Sequence, residues 1–471
     1  MNSESIRDYF EMRFAGKTIC LLGFGREGKS SYNTIRKYLP DIPLIIADNN
    51  SLCREEFLAG FPEDKNLNFF CGNDYLSALS KCDIVLKSPG VSLKVLDKDK
   101  FICPITSQTE IFLELFRDQV TGVTGTKGKS TTVSLLYQIL KTAGKDVLLG
   151  GNIGIPPFEF LDKVKPETLV VFEMSSHQLE NLSISPHVAV LLNIFQEHLD
   201  HYRSYKDYQL AKYNIARWQK QSDVFIYNAE SEPIQSLLKE IPVHSKKMLI
   251  HELSVYKGGA ACVGKSLHIS YSGKIRVFDN FCNRRKIPGQ HNITNILAAV
   301  LAAVKWGVEE EIIRKVVESF RGLPHRLEFI GELNGVGFYN DSISTIPEST
   351  IEALKTFSRV HTILLGGYDR GVDYKMLMSF LAQNPVNQIL FIGKAGKRMQ
   401  QELSATNPGM AENATLFEDF ESAVYKAIEI TPSGEICLLS PAAASYDMFK
   451  NFEHRGEKFR QIILGKKESS A

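Results

Sequence analysis

Val123-Thr-Gly-Thr-Lys-Gly-Lys-Ser-Thr-Thr132 is the stretch on which the reading of the fold turns. Gly125 and Gly128 let the backbone turn sharply and bring N–H groups close to phosphate oxygens. Lys129 adds positive charge for the terminal phosphates, and Ser130 or Thr131 offers a hydroxyl to magnesium. The run that follows predicts a helix from 131 to about 143, polar at its start and apolar at Val133, Leu135, Leu136, Ile139 and Leu140, with Gly144 as its stop. The amino-terminal end of that helix dipole favours an anion. The common phosphate-loop pattern asks for glycine where Val123 stands, so this loop is a variant.

Working outward, Asp146-Val-Leu-Leu149 predicts a strand leading into Gly150-Gly-Asn-Ile-Gly154, where Asn152 is placed to reach a ligand. Thr168-Leu-Val-Val-Phe172 predicts a buried strand ending in Glu173. A carboxylate there, beside the phosphate-loop strand, is where nucleotide enzymes place a magnesium ligand or a water-orienting acid; a helix cap is the plain alternative. The strand 187–192 runs into a loop crowding Glu197, His198, Asp200 and His201, in which one imidazole can bind a divalent cation. A solvated polar loop is the bland reading of the same residues. On a predicted helix over 204–220, Lys212 taken alone reads as a snorkelling surface residue. Short strands and turns are expected from 223 to 287. Gln290-His-Asn-Ile-Thr-Asn295 then opens an apolar helix over 296–306, with Asn292 and Asn295 as caps or as readers of an adenine edge.

Upstream, Thr18-Ile-Cys-Leu-Leu22, the turn Gly23-Phe-Gly-Arg-Glu-Gly28, a helix over 29–38 and a strand over 43–47 ending at Asp48 follow the order of a dinucleotide-binding half. Such a turn equally suits another nucleoside diphosphate, or simply tight packing of a helix on a sheet. A strand over 82–86 leads into Lys87-Ser-Pro-Gly-Val91, at a strand's carboxyl end where α/β proteins hold ligands. A helix over 108–116 closes this part. Past Leu323-Pro-His-Arg326 the alternation resumes, with strands over 336–339, 362–365, 388–392 and 435–439, a helix over 348–356, the loop Gly366-Gly-Tyr-Asp-Arg-Gly371 and a turn over 393–396. Three α/β domains in series is the pattern.

Composition narrows the function classes. A chain of 471 residues has room for about three domains. Lys+Arg at 55 against Asp+Glu at 54 leaves a net charge of +1, so no global field recruits nucleic acid or an acidic membrane. Eight cysteines are scattered without C-x-x-C or zinc-ligand spacing, and are expected to be reduced thiols of a cytosolic protein. The first 14 residues lack a signal-peptide core, and the apolar run 296–304 is too short to span a bilayer, so a soluble cytoplasmic protein is expected.

Several motifs stand in one order: Thr124-Gly-Thr-Lys-Gly-Lys-Ser-Thr, Gly150-Gly-Asn-Ile-Gly, Glu173-Met-Ser-Ser-His-Gln-Leu-Glu, Glu197-His-Leu-Asp, Gly289-Gln-His-Asn, Leu323-Pro-His-Arg, Asn340-Asp-Ser and Leu439-Ser-Pro-Ala-Ala-Ala-Ser. Together they resemble the Mur ligase family over the whole chain, and that family's phosphate loop also lacks the first glycine. The closing Ser445-x-Asp-x-Phe-x-x-Phe-Glu-x-Arg-Gly456 resembles the family's D-glutamate-adding branch.

The resemblance implies three domains. A Rossmann-like domain, 1–117, would bind the uridine diphosphate of UDP-N-acetylmuramoyl-L-alanine through Gly25, Arg26, Glu27, Gly28, Asp48, Ser88, Pro89 and Gly90, with Asn152 added from the next domain. A central P-loop ATPase-like domain with a mainly parallel sheet, 118–322, would bind ATP through Gly125, Thr126, Lys127, Gly128, Lys129, Ser130, Thr131, Asn292 and Asn295. Arg326 and Asp341 would join the nucleotide from a Rossmann-like third domain, 323–471. Two magnesium ions would fall to Ser130, Glu173, His198 and Lys212, the last as a carbamate formed with carbon dioxide. Two cations and a phosphate do need more anionic ligands than Glu173 alone. Lys129, Glu173, His198 and Lys212 form the implied catalytic set, and the implied reaction is ATP-driven amide formation through an acyl phosphate in peptidoglycan precursor synthesis. Thr345, Arg370, Ser445, Tyr446 and Phe452 would receive D-glutamate.

One departure bears on that last assignment. Many members carry Asp-Ser-Lys-Ala-Thr where this chain has Asp341-Ser-Ile-Ser-Thr345, so Ile343 stands where a lysine would lie near the amino-acid site, and Arg370 could supply the cation for a side-chain carboxylate instead. A sister ligase for another amino acid, a nucleotide-binding regulator without catalysis and a two-nucleotide oxidoreductase are the competing readings. The protein is expected to be a monomer with small-molecule partners.

Overall fold

The computed structural model describes residues 3–469 except 96–102, 154, 199–200, 254–257 and 358. The described residues build three sheets within two compact units: Met1–Arg284 with His291–Glu318, and Arg285–Gln290 with Ser319–Ala471.

Unit 1 opens with a parallel sheet in the order Leu67–Cys71, Leu44–Asp48, Ile19–Leu22, Ile84–Lys87, Ile105–Thr106. The runs Ile-Cys-Leu-Leu and Leu-Ile-Ile-Ala are apolar throughout because helices cover both faces. The chain leaves the central strand in one direction and later returns on its other side. The turns after Leu22 and Lys87 therefore meet at the switch point where α/β sheets hold ligands: Ser88 Oγ donates to the Gly23 carbonyl at 2.8 Å. The first helix after the turn, Arg26–Tyr38, starts three residues earlier than expected, with Gly25 at its cap.

Cys53 and Cys71 correct the expectation of thiols throughout. They form a disulfide, with Cα atoms 5.9 Å apart. A separation of 18 residues carries no recognisable motif; the helix Cys53–Gly60 packing beside the strand Leu67–Cys71 brings the two together.

The second sheet of unit 1 runs Lys274–Phe278, Ser266–Tyr271, Gly259–Val263, Lys246–Ile250, Val224–Asn228, Val188–Leu191, Val120–Thr124, Leu169–Glu173, Val147–Gly151. It is parallel except for the first two strands, which add an antiparallel hairpin edge. Val120–Thr124 lies between Val188–Leu191 and Leu169–Glu173. The phosphate-type loop, Glu173 and the segment from Asn193 consequently emerge side by side at one edge. The helix after the loop, Lys129–Thr142, takes in Lys129 and Ser130 and so begins two residues earlier than expected. The helix His291–Lys305 starts five residues early, which moves Asn292 and Asn295 from before a helix into its first turns. A helix at Glu232–Glu240 stands where only strands and turns were expected.

Unit 2 holds a sheet in the order Glu328–Leu333, Val336–Asn340, Ile436–Leu439, Val360–Gly366, Gln388–Ile392, Ala414–Phe417, parallel after its first, antiparallel strand. The turn expected at 393–396 is instead the start of a helix, Gly393–Thr406. Gly393 takes a left-handed φ of +65° straight after the strand, and a side chain at Gly396 would sit 3.1 Å from the Phe391 backbone. These glycines make a strand-to-helix turn and do not end an element. Among the described residues no helix is long and apolar enough to cross a membrane.

Candidate active site

At the edge of the second sheet the loop after Thr124 is clamped by the segment 193–195. Thr126 N–H donates to the Asn193 carbonyl at 3.0 Å, Lys127 N–H to Asn193 Oδ1 at 2.9 Å, and Phe195 N–H to Thr126 Oγ1 at 2.9 Å. Gly128 adopts φ +90°, and a Cβ there would lie 2.1 Å from Asn295 Oδ1, so only glycine fits between the loop and that helix. Lys129 Nζ donates to the Gly125 and Thr126 carbonyls at 2.9 and 3.0 Å. Ser130 and Thr131 occupy the first turn of the helix, where unpaired N–H groups attract anions. Asn295 Nδ2 donates to Asn292 Oδ1 at 2.9 Å, and both asparagines are buried.

Glu173, 1 % exposed, accepts from Asn152 Nδ2 at 2.7 Å through Oε1, while Oε2 is buried with no hydrogen-bond partner among the described residues. An orphaned carboxylate oxygen beside a phosphate-type loop suits a divalent cation, a hard acid that takes oxygen ligands. Lys212, at 2 % exposed, is no surface residue: its Nζ donates to the Gly125 carbonyl at 2.9 Å and lies 5.0 Å from the Tyr208 ring centre. Burial first, then repulsion from Lys129, holds its amine well below the usual lysine range, against the pull of Glu197 and Glu173. His198 sits at φ +58°, an uncommon backbone for a non-glycine residue. Its ring is 4.9 Å from that of His177, and Glu197 bridges to Lys127 at 2.6 Å. Asp200 of the same loop lies outside the described residues.

The switch point of the first sheet carries a cavity of about 640 Å³ that gathers Gly25, Arg26, Glu27, Asp48, the Ser88-Pro-Gly90 turn and Asn152. Gly28 is not on its wall. A Cβ there would lie 2.3 Å from the Gly23 carbonyl oxygen, so its job is close packing of helix on strand. The Asp48 carboxylate accepts from the N–H groups of Phe24 and Asn50 at 2.6 and 2.8 Å and so braces the glycine turn. Burial pushes the Glu27 carboxyl up to about 7, against a hydrogen bond from Gln178 and the attraction of Lys87.

In unit 2, the expected amino-acid residues Thr345, Arg370, Ser445 and Tyr446 fall on loops at the carboxyl ends of the strands, and Phe452 opens the helix Phe452–Ser469. Ser445 is buried, Tyr446 and Arg370 are exposed, and Thr345 and Phe452 are half-buried. The Tyr446 ring packs edge-on to that of Tyr368. Arg326 is exposed between His325 and Leu327, both at positive φ. Asp341 is buried, accepting from Leu327 N–H at 3.1 Å and Ser440 Oγ at 2.8 Å, and burial raises its carboxyl to about 6.

Sequence reasoning passed over Asn193, which clamps the phosphate-type loop, and Lys87, whose buried Nζ meets Glu180 at 2.7 Å and the Val91 carbonyl at 2.8 Å. Asn193 follows an apolar strand directly, a signal available in the sequence. The Lys87–Glu180 pair joins the end of a first-sheet strand to the residue after the helix Ser176–Leu179 and had none.

Parallel sheets bearing this loop at a helix start define a phosphate-loop α/β protein. The Mur ligase middle domain matches residues 123–303, and the Mur ligase, glutamate ligase domain matches residues 325–443. UDP-N-acetylmuramoylalanine--D-glutamate ligase of Acetivibrio thermocellus is 32 % identical over 465 residues, covering 96 % of this chain and 97 % of that one. The enzyme of the same name from Clostridium perfringens is 34 % identical over 475 residues, covering 97 % and 99 %. The crystal structure of MurF ligase from Thermotoga maritima in complex with ADP shares the fold, with a TM-score of 0.52 at 19 % identity over 96 % of this chain and 95 % of that one. The chain belongs to the Mur ligase family.

Proposed function

We propose that the protein is an ATP-dependent amide ligase that adds D-glutamate to UDP-N-acetylmuramoyl-L-alanine in peptidoglycan precursor synthesis, acting in the cytoplasm as a monomer. One observation carries this reading: Lys129, the half-paired carboxylate of Glu173 and the buried amine of Lys212 converge on one glycine loop at a helix start. Anion cradle, cation ligand and a desolvated amine together serve phosphoryl transfer, in which positioning and charge neutralisation do most of the catalysis.

In this reading the loop N–H groups and Lys129 hold the ATP phosphates, with Asn292 and Asn295 toward the base. The motifs also assign Arg326 and Asp341 to the nucleotide. The γ-phosphoryl group passes to the alanine carboxylate, giving an acyl phosphate and ADP. The amine of the amino acid then attacks the acyl carbon, the C–N bond forms, and phosphate leaves with the broken C–O bond. Ser130, Glu173, His198 and Lys212 would hold magnesium, which would supply charge neutralisation to the phosphates. Lys212 joins that set after its uncharged amine adds carbon dioxide and loses a proton, which turns a cation into a carboxylate. The switch-point cavity of the first sheet takes the uridine diphosphate, and Thr345, Arg370, Ser445, Tyr446 and Phe452 take the amino acid.

The test is phosphate release from ATP and magnesium with UDP-N-acetylmuramoyl-L-alanine, in parallel with D-glutamate, L-glutamate, D-lysine or no amino acid. Release confined to D-glutamate is the expected result. Ile343 favours a second reading, a sister ligase with a different amino acid, and release with L-glutamate or D-lysine instead would establish it. No release in any arm would leave a nucleotide-binding regulator.

A further inference from the structure

Arg455 stands in the closing Phe452-Glu-His-Arg-Gly456 run, and no role follows for it from the chemistry above. Its side chain is 2 % exposed. A guanidinium carries five N–H donors in a rigid planar fork, and here each has an oxygen. Nε donates to Ser342 Oγ at 3.0 Å. Nη1 donates to the carbonyls of Gly366 at 3.4 Å and Ala444 at 3.3 Å, and Nη2 to those of Ser342 at 2.9 Å and Ala443 at 3.1 Å. Those oxygens come from three separate loops. Ser342 precedes Ile343 and Thr345, Gly366 opens the loop that carries Arg370, and Ala443 and Ala444 lead into Ser445 and Tyr446.

We propose that Arg455 is the positioning residue of the amino-acid site, one buried guanidinium that sets the spacing of the three loops whose side chains receive the incoming amino acid. The inference rests on the amino-acid assignment made above. The three loops leave neighbouring strands of one sheet, and at the strand ends backbone bonds link them only in pairs, Asp341 N–H to the Leu439 carbonyl at 2.7 Å and Gly366 N–H to the Pro441 carbonyl at 2.8 Å, whereas Arg455 reaches all three at once. Tyr368 N–H meets the Ala444 carbonyl at 2.9 Å, and Ser342 Oγ donates to the Phe452 carbonyl at 2.8 Å, which ties the helix bearing Arg455 to the first loop. Gly367 is forced to be glycine by the same packing: at φ +136°, a Cβ there would lie 2.3 Å from the Ala444 carbonyl oxygen and 3.1 Å from Arg455 Nη1. The Asp447 carboxylate attracts Arg455 from nearby but takes none of these five hydrogen bonds. Its donors are spent on loop oxygens, as a spacer requires and an ion pair does not.

Lysine offers three donors from a single point and cannot span the five oxygens. Arg455→Lys and Ser342→Ala, which removes one acceptor, are assayed for phosphate release with each substrate varied in turn, beside the wild type. The expected result is a KM for the amino acid raised about tenfold or more in Arg455→Lys and about threefold in Ser342→Ala. The KM values for ATP and for UDP-N-acetylmuramoyl-L-alanine should stay within about twofold. A merely structural loss would lower the active fraction and kcat without this split. An unchanged amino-acid KM in folded Arg455→Lys overturns the inference and leaves the ligase reading standing. If Arg455→Lys does not fold, Ser342→Ala decides by the same criterion. A wild type that releases no phosphate with any amino acid overturns both together.

Discussion

Unit 1 and unit 2 each bury one cation to 2 % exposure, and they treat it in opposite ways. Arg455 in unit 2 gives all five donors to oxygens of its own unit. Lys212 in unit 1 has the Gly125 carbonyl and the face of Tyr208, with Lys129 repelling it. Desolvating a charge is costly unless hydrogen bonds replace its water. Burial lowers both, but Arg455 starts from 12.5, falls only to about 9 with Asp447 pulling the other way, and keeps its charge at neutral pH, whereas Lys212, with Lys129 adding repulsion, is driven towards its uncharged, nucleophilic form. Equal burial therefore marks a structural cation in one unit and a reactive amine in the other.

Lys212→Met breaks the comparison hardest. On the proposed reading turnover should fall about 10³-fold, since an anionic ligand near the transferring phosphate is lost, and added bicarbonate should not restore it. In buffer free of carbon dioxide the same variant should be no less stable than wild type. The unfolded chain holds a proton that the buried amine has given up, so stability of the unmodified protein rises with pH between the depressed pKa and the ordinary 10.5, and methionine removes that slope. Near-normal turnover would dismiss the carbamate role.

Arg455→Met should act the other way, lowering stability by about 3 kcal/mol or more because the buried oxygens of Ser342, Gly366, Ala443 and Ala444 each lose the guanidinium as a donor. Urea titration of both methionine variants reads the contrast directly, and equal destabilisation would erase it. A buried carboxyl sharpens the point. Glu27 is raised from 4.5 to about 7, so folding takes up a proton and stability should fall as pH rises through that window. Glu27→Gln should flatten the fall, which amounts to at most about 3 kcal/mol; an unaltered pH profile of Tm would show that Glu27 is ionised throughout. The smallest effect is expected from exposed Arg370. Arg370→Ala should raise the KM for D-glutamate about tenfold with little change in kcat, and an unmoved KM would end its assignment.

The segments that were read correctly carry their instructions locally. The continuous apolar strands, the helix Gln108–Phe116 and the strand-to-helix phosphate-type loop follow from periodicity and from glycines whose neighbours exclude a Cβ. The misread turn at 393–396 failed for the same reason in reverse, since glycines that end one element also start another.

By itself, the sequence determined the α/β class and the order of the motifs, because strand and helix periodicity and glycine turns are local properties, and the resemblance of those motifs gave the Mur ligase family. Tertiary structure alone decided which polar residues are buried and with what. Lys212 looks like any helix lysine, Glu27 like any first-turn acid and Cys53 like a lone thiol until the sheets bring distant segments onto them. Desolvation and partner count, which set their chemistry, depend on contacts across tens to hundreds of residues.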